Sequence, residues 1–291
     1  MGVVGLPRLP SMGVGRQRQV SEGVVRLIVV SRNAWRLPVV QIVVYGAGRL
    51  GQAVIAAAKA EGCGIVAVDR HLLESGGADA VGAPVFATLE EAAQQTSPDV
   101  IVDASRADAL DEVLEFAVGN GTGLVIAATG HDEGQVAKMK EAAKVIALLR
   151  SSNLSVGVNV LRRLASDAAR MLGPVDTEIV EAHHRLKVDA PSGTALTLAE
   201  AVRDAVDVDR EFVYGRSPSD HGARGNEIGI HAVRGGTVVG EHTVTFLLDD
   251  EIVELRHVAQ SRGVFGFGAV KAARFVKGAQ PGLYTMEDLL G

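Results

Sequence analysis

A glycine-spaced turn, Gly46-Ala47-Gly48-Arg49-Leu50-Gly51, sits between a nearly continuous β-branched run at 39–45 and an apolar-periodic stretch that reaches residue 60. A strand that is apolar at successive positions is buried on both faces, as strands of a parallel sheet are. The three glycines have separate uses. The first permits a tight turn, the second lets an anion approach the backbone, and the third lets helix and strand pack closely. The spacing is weak evidence in isolation, but between a strand and a helix it is a dinucleotide-binding fingerprint. The acidic residue expected about 20 positions on is Asp69, after a second strand at 64–68. Its carboxylate is placed to accept from a ribose 2′-hydroxyl, while Arg70 beside it suits a 2′-phosphate. The pair is compatible with both NADH and NADPH.

The alternation continues. Strands are expected at 99–104, 124–128 and 145–149, with helices at 106–118 and 133–144. Thr88-Leu89-Glu90-Glu91 matches a capping box opening a further helix. Such alternation implies right-handed crossovers and a doubly wound parallel sheet. Ligands bind outside the carboxyl ends of such strands, so Ala127-Ala128-Thr129 and Ser151-Ser152-Asn153-Leu154 are expected to face the nicotinamide. After residue 151 the rhythm changes. Helices are expected at 156–171, 194–206 and 266–276, and a strand at 175–182. Three alternating runs at 227–233, 237–248 and 251–258 suggest antiparallel strands, with Asp249-Asp250 as a hairpin turn. The second domain is therefore α+β.

Composition narrows the function classes. A net charge of −6 over 291 residues argues against a general nucleic-acid binder. No apolar run approaches the ~18 residues of a membrane span. One cysteine, Cys63, excludes an intrachain disulfide framework and a cysteine-based zinc site. Residues 1–38 hold six arginines and one acid, Glu22. They read as an irregular extension or an upstream start, with Met12 as a later start, or alternatively as an organelle transit peptide.

The segment 181–195 concentrates chemistry. His183, His184, Arg185 and Lys187 place four cations within five residues, followed by Asp189 and a Pro191-Ser192-Gly193-Thr194 turn into a helix. Hydroxyls and N–H groups at a helix start hold carboxylates, and Lys or His is able to donate a proton. Together they suit a small, multiply anionic substrate. Asp189 is expected to orient the cations. Adjacent histidines lack zinc-ligand spacing, and Ser192 has no evident histidine–acid relay to make it a nucleophile.

The run Glu181-Ala182-His183-His184-Arg185-x-Lys187-x-Asp189-Ala190-Pro191-Ser192-Gly193-Thr194-Ala195 resembles the signature of the 4-hydroxy-tetrahydrodipicolinate reductase family, also called dihydrodipicolinate reductases. Asn153-Leu154-Ser155-Val156-Gly157-Val158-Asn159-Val160, Val239-Gly240-Glu241-His242-Thr243, Ser261-Arg262-x-x-Phe265-x-x-Gly268-Ala269 and Pro281-Gly282-Leu283-Tyr284-Thr285-Met286 are similar to the family in the same order.

The resemblance implies a Rossmann-type doubly wound sheet at 39–152 and 262–291. It also implies an α+β substrate-binding and tetramerisation domain at 153–261 with a mixed or antiparallel sheet. The expected activity is reduction of a small cyclic dicarboxylate by NADH or NADPH in lysine and diaminopimelate biosynthesis. The expected form is a cytoplasmic homotetramer. His183 maps to a proton donor/acceptor and Lys187 to the proton donor. His184 maps to a substrate contact, and Gly193 with Thr194 to the carboxylate site. Cofactor contacts map to Gly46, Ala47, Gly48, Arg49, Leu50, Gly51, Asp69, Arg70, Ala127, Ala128, Thr129, Ser151, Ser152, Asn153 and Leu154. Two positions depart from the family: its glycine loop is often one residue longer, and Ala127-Ala128-Thr129 replaces the usual Gly-Thr-Thr. The nearest alternatives are another two-domain NAD(P)-dependent amino-acid dehydrogenase, which would lack the cationic motif, and a non-catalytic nucleotide sensor, expected to have lost Lys187 or the histidine pair.

Overall fold

The structure is a computed structural model that describes residues 39–217 and 222–291; the expected leader at 1–38 lies outside the described residues. In chain order the elements are β1 (Gln41–Tyr45), α1 (Arg49–Ala60), β2 (Gly64–Val68), α2 (Arg70–Glu74), β3 (Val85–Phe86), α3 (Leu89–Gln95), β4 (Val100–Asp103), α4 (Leu110–Asn120), β5 (Gly123–Ile126), α5 (Glu133–Ala142) and β6 (Ala147–Arg150). There follow α6 (Val156–Leu172), β7 (Asp176–His183), α7 (Gly193–Arg203), β8 (Phe212–Tyr214), β9 (Ile228–Arg234), β10 (Gly240–Leu247), β11 (Ile252–Ala259), α8 (Gly263–Gly278), β12 (Gly282–Tyr284) and α9 (Met286–Leu290).

The first sheet has the order β12-β6-β5-β4-β1-β2-β3, parallel throughout. Its central strands are apolar on both faces because helices cover both. Ile42, Val44, Val100 and Val102 pack towards α1 and α8, while Val43, Ile101, Leu124 and Ile126 pack towards α3, α4 and α5. The chain thus returns at its end to finish the sheet it began. Short elements escaped the sequence reading: β3, β8 and β12 have two or three residues each, too few to show a period. The helix expected at 106–118 begins as a 3-10 turn at 107–109. It then runs past Gly119 and ends where Gly121 takes a left-handed conformation (φ 62°). Half of the expected capping box at Thr88 forms. Thr88 accepts from the Glu91 N–H, but the Glu91 carboxylate reaches the Ala87 N–H, one residue early.

The second sheet has the order β11-β10-β7-β9-β8 and is mixed. β10 is antiparallel to both β7 and β11, and β11 follows it through the expected Asp249-Asp250 turn. The expectation that β9 joins them antiparallel is wrong, because β9 pairs with β7 in parallel. Two crossovers precede β9: α7 carries the chain from β7 to β8, and the connection at 215–227 carries it from β8 to β9, so that β7, β8 and β9 all run the same way. Ile179, Ile230, Val244 and Phe246 pack one face of this sheet against Leu161 and Ala165 of α6 and Leu198 and Val202 of α7. The same packing pins β7, whose last residue is His183.

Candidate active site

β1 and β4 are neighbours, yet the chain builds β2 and β3 on one side before crossing to β4 on the other. Their carboxyl ends therefore diverge into the crevice where ligands of open α/β sheets bind. Gly46 leaves β1 with φ 89° and donates its N–H to Val68 O at 2.9 Å. A Cβ on Gly46 would lie 2.9 Å from Ser105, and one on Gly51 only 2.0 Å from Gly46 O. Gly48 caps α1 without a side chain, and a Cβ there would meet nothing within 4 Å. The first N–H groups of α1, at Arg49 and Leu50, have no intrahelical acceptor, and no acid stands in the first turn. This open helix start fits the pyrophosphate of a dinucleotide.

Asp69 does more than was expected of it. Its Oδ2 accepts from the Ala47 N–H and its Oδ1 from the Leu72 N–H, both at 2.9 Å. It therefore braces the glycine loop and caps α2, and a spare lone pair on each oxygen remains for a ribose hydroxyl. Arg70 is exposed beside it. Ala127 and Ala128 are buried, with both N–H groups on Asp103 O, so of that loop Thr129 faces outward. In the loop after β6, Ser152 is exposed and Leu154 is buried under α8, where a Cβ on Gly268 would lie 1.7 Å from Leu154 O. Ser151 Oγ donates to Asn153 O at 2.8 Å.

The cationic segment begins where β7 ends. His183 Nδ1 is 2.6 Å from Glu181 Oε2, and its ring meets His242 edge-on with centroids 5.2 Å apart. Burial holds the His183 pKa below its ordinary value although Glu181 pulls upward. For Glu181, burial favours the neutral acid, but hydrogen bonds from Arg234, His183 and the Ser192 N–H outweigh it and leave the pKa lowered. The carboxylate is thus held towards its ionised form, facing His183 Nδ1. Lys187 Nζ lies 2.9 Å from Asp189, whose pKa that hydrogen bond depresses. Asp189 thus pairs with Lys187, one of the cations that it was expected to orient. His184 Nε2 is 3.4 Å from the Arg262 guanidinium, and its Nδ1 is buried with no partner among the described residues. Arg185 is exposed.

Gly193 and Thr194 head α7, where no intrahelical carbonyl reaches their N–H groups. Ser192 belongs to the scaffold instead. Its N–H donates to Glu181 Oε1 at 2.9 Å, and its Oγ accepts from Ala195 N–H and lies 3.1 Å from His242 Nε2. It does have a histidine neighbour, but a capping hydroxyl that is 2% exposed is no nucleophile for a substrate. Asn153 Nδ2 donates to Thr194 Oγ1 at 3.0 Å, joining the loop after β6 to the start of α7.

Sequence reasoning assigned no role to Glu181, Arg234, His242 or Arg262. Glu181 stood inside the motif, and its alternation with Ile179 hinted at an inward side chain. Arg234, 53 residues away, gave no signal.

Comparison with known proteins follows the same lines. Residues 40–154 match the family described as dihydrodipicolinate reductase, N-terminus, and residues 157–290 match its C-terminus. The chain is 48% identical over 207 residues to the 4-hydroxy-tetrahydrodipicolinate reductase of Caldanaerobacter subterraneus subsp. tengcongensis, covering 71% of this chain and 82% of that one. It is 44% identical over 213 residues to that of Methanocorpusculum labreanum, covering 72% and 84%. A dipicolinate-bound dihydrodipicolinate reductase from Paenisporosarcina sp. TG-14 superposes with a TM-score of 0.71 at 26% identity, covering 85% and 97%. A myo-inositol dehydrogenase from Corynebacterium glutamicum shares the fold alone, at 16% identity and a TM-score of 0.54.

Proposed function

The chain belongs to the dihydrodipicolinate reductase family, and from that premise we propose how its residues divide the work. It reduces 4-hydroxy-tetrahydrodipicolinate with NADH or NADPH, a step of lysine and diaminopimelate biosynthesis. One observation carries the assignment of the site: Glu181 draws His183 and the start of α7 together, and Asn153 ties that helix start to the loop after β6.

The reduced dinucleotide, when bound, supplies the hydride. Gly46, Ala47, Gly48, Arg49, Leu50 and Gly51 hold its pyrophosphate, Asp69 and Arg70 its ribose, and the loops at 127–129 and 151–154 its nicotinamide end. The Gly193 and Thr194 N–H groups take one substrate carboxylate, and His184 contacts the substrate beside them. Lys187 delivers the proton to the enamine carbon. It sits on an exposed loop against an exposed carboxylate, from which an anionic substrate is able to draw it. His183, neutral and bare at Nε2, acts as the acceptor: it takes a proton from solvent and returns it to the Lys187 amine, which restores both residues after each turnover. Residues 39–152 and 262–291 form the cofactor domain, a division supported by α8 and β12 completing the first sheet. Residues 153–261 form the substrate-binding and tetramerisation domain, and the chain works as a cytoplasmic homotetramer.

The test is to couple purified protein to the upstream synthase and follow oxidation of NADH and NADPH separately. Oxidation of at least one is expected, and of neither overturns the reading. Lys187→Ala is expected to lose on the order of 10²-fold in kcat with dinucleotide affinity intact. Near-normal turnover sinks the role of Lys187.

A further inference from the structure

We infer that Glu181 is a positioning residue for the reaction: it fixes the proton of His183 on Nδ1 and holds that histidine, the cationic loop and the start of α7 in one arrangement. Glu181 is 0% exposed on the helix-covered face of β7. Four donors converge on it: both Arg234 guanidinium nitrogens at 2.7 Å, His183 Nδ1 at 2.6 Å and the Ser192 N–H at 2.9 Å. Arg234 also donates to Asp189 O at 2.6 Å, which ties down the far end of the loop that carries Lys187.

An ion pair with a fully buried carboxylate is a costly way to stabilise a fold, since apolar residues of the same volume often do as well or better. Its distinct product here is directional. An ionised carboxylate only accepts, so the histidine nitrogen facing it must carry the hydrogen and the opposite nitrogen must be bare. Gly240 keeps that opposite edge clear, because a Cβ there would lie 3.0 Å from His183 Nε2. The charged or titratable groups around His183 are Glu181 on its own strand, Lys187 on the loop, Arg234 on β9 and His242 on β10. Of these only Glu181 raises its proton affinity. The inference rests on the reading of His183 as the acceptor, and its test separates the two.

The experiment uses the full chain with 15N-labelled histidine. In the wild-type protein the His183 ring nitrogens are expected to show Nδ1–H and a bare Nε2; the reverse overturns the inference without any appeal to turnover. Glu181→Gln keeps the volume and offers an amide N–H to a site whose other neighbours are all donors, so His183 is expected to turn acceptor at Nδ1. Expected with it are a kcat loss on the order of 10²-fold, unchanged dinucleotide affinity, and a shift of the His183 limb of the pH profile to lower pH. The Glu181→Gln, His183→Gln double variant is expected to lose no more than the worse single variant, because the glutamine keeps an acceptor oxygen for Arg234 and the Ser192 N–H and the remaining loss runs through His183. An unmoved tautomer in Glu181→Gln, or losses that multiply in the double variant, overturn the positioning role. Normal kcat in His183→Gln overturns instead the acceptor role on which the inference rests.

Discussion

His242 is a neutral histidine by burial. It is 3% exposed, and desolvation, with the neighbouring His183 adding to it, pushes its pKa down to about 4. An unfolded histidine titrates near 6.5. Between those values the unfolded chain binds a proton that the folded one refuses, so stability rises with pH there. The full contribution is present above about pH 6.5 and is lost as pH falls towards 4, a total of about 3 kcal/mol. His131, His183 and His257 are lowered by burial too and pull in the same direction. Acid loss of stability is therefore expected to begin above the range in which carboxylates protonate. Urea midpoints measured from pH 7 to 4.5 are expected to fall steeply for the wild-type protein and less steeply for His242→Gln. Equal slopes sink the argument. Nothing local to His242 in the sequence announced this: the alternation of β10 marks an inward position, not the company of Ser192 and His183, 50 and 59 residues away.

Among the elements, legibility followed length and two-sidedness. Strands buried on both faces, such as β1 and β2, were placed within two residues because short β-branched runs bounded by glycine suit a strand covered on both sides. The mispairing of β9 has a physical cause: a half-buried strand alternates identically in parallel and antiparallel ladders. Direction depends on the crossovers, here α7 before β8 and the connection at 215–227 before β9. The site was legible wherever chemistry was local in sequence, as at Lys187 with Asp189, and illegible where a sheet brought distant residues together, as at Glu181 with Arg234. α8 shows another kind of constraint. A Cβ on Gly266 would lie 2.1 Å from Ala53 O in α1, so α8 crosses α1 backbone to backbone while Ala269, Ala272 and Ala273 keep the rest of that face small. Gly268→Ala would press into Leu154 O, a backbone atom that has no rotamer to change. We expect it to cost about 1–3 kcal/mol and, by moving the loop at 151–154, to weaken dinucleotide binding as well. Thermal melting and fluorescence titration of NADH report the two effects, and an unchanged melting temperature refutes the packing account.

At the scale of the whole molecule, the second sheet presents an open face. Only one of its faces is covered by α6 and α7. The registers place Val180, Ala182, His231, Val233, Thr243, Arg256 and Val258 together on the other face. There Val180, Val233, Ile252 and Val258 remain 40–62% exposed. Val180 and Val233 are diagonal neighbours there, with Val258 across Glu241 and Ile252 beyond the row Glu254–Thr245–Glu178. Such a mixed apolar and polar face is of the composition that interfaces show, and the tetramer proposed above would cover it with the same face of another copy. In such self-complementary contacts each residue acts twice, so one carboxylate introduced per chain meets its like across the axis. Val180→Asp faces solvent in the single chain and is expected to leave the fold intact while splitting the assembly. Light scattering is expected to report four chains for the wild-type protein and fewer for Val180→Asp, with the same far-ultraviolet circular dichroism. A wild-type mass of one chain, or an undiminished mass in the variant, would remove this face from the interface. The distinction bears on the chemistry, because β7 carries Val180 on that open face and Glu181 and His183 at the site. Loosening the assembly is therefore expected to lower kcat more than dinucleotide affinity.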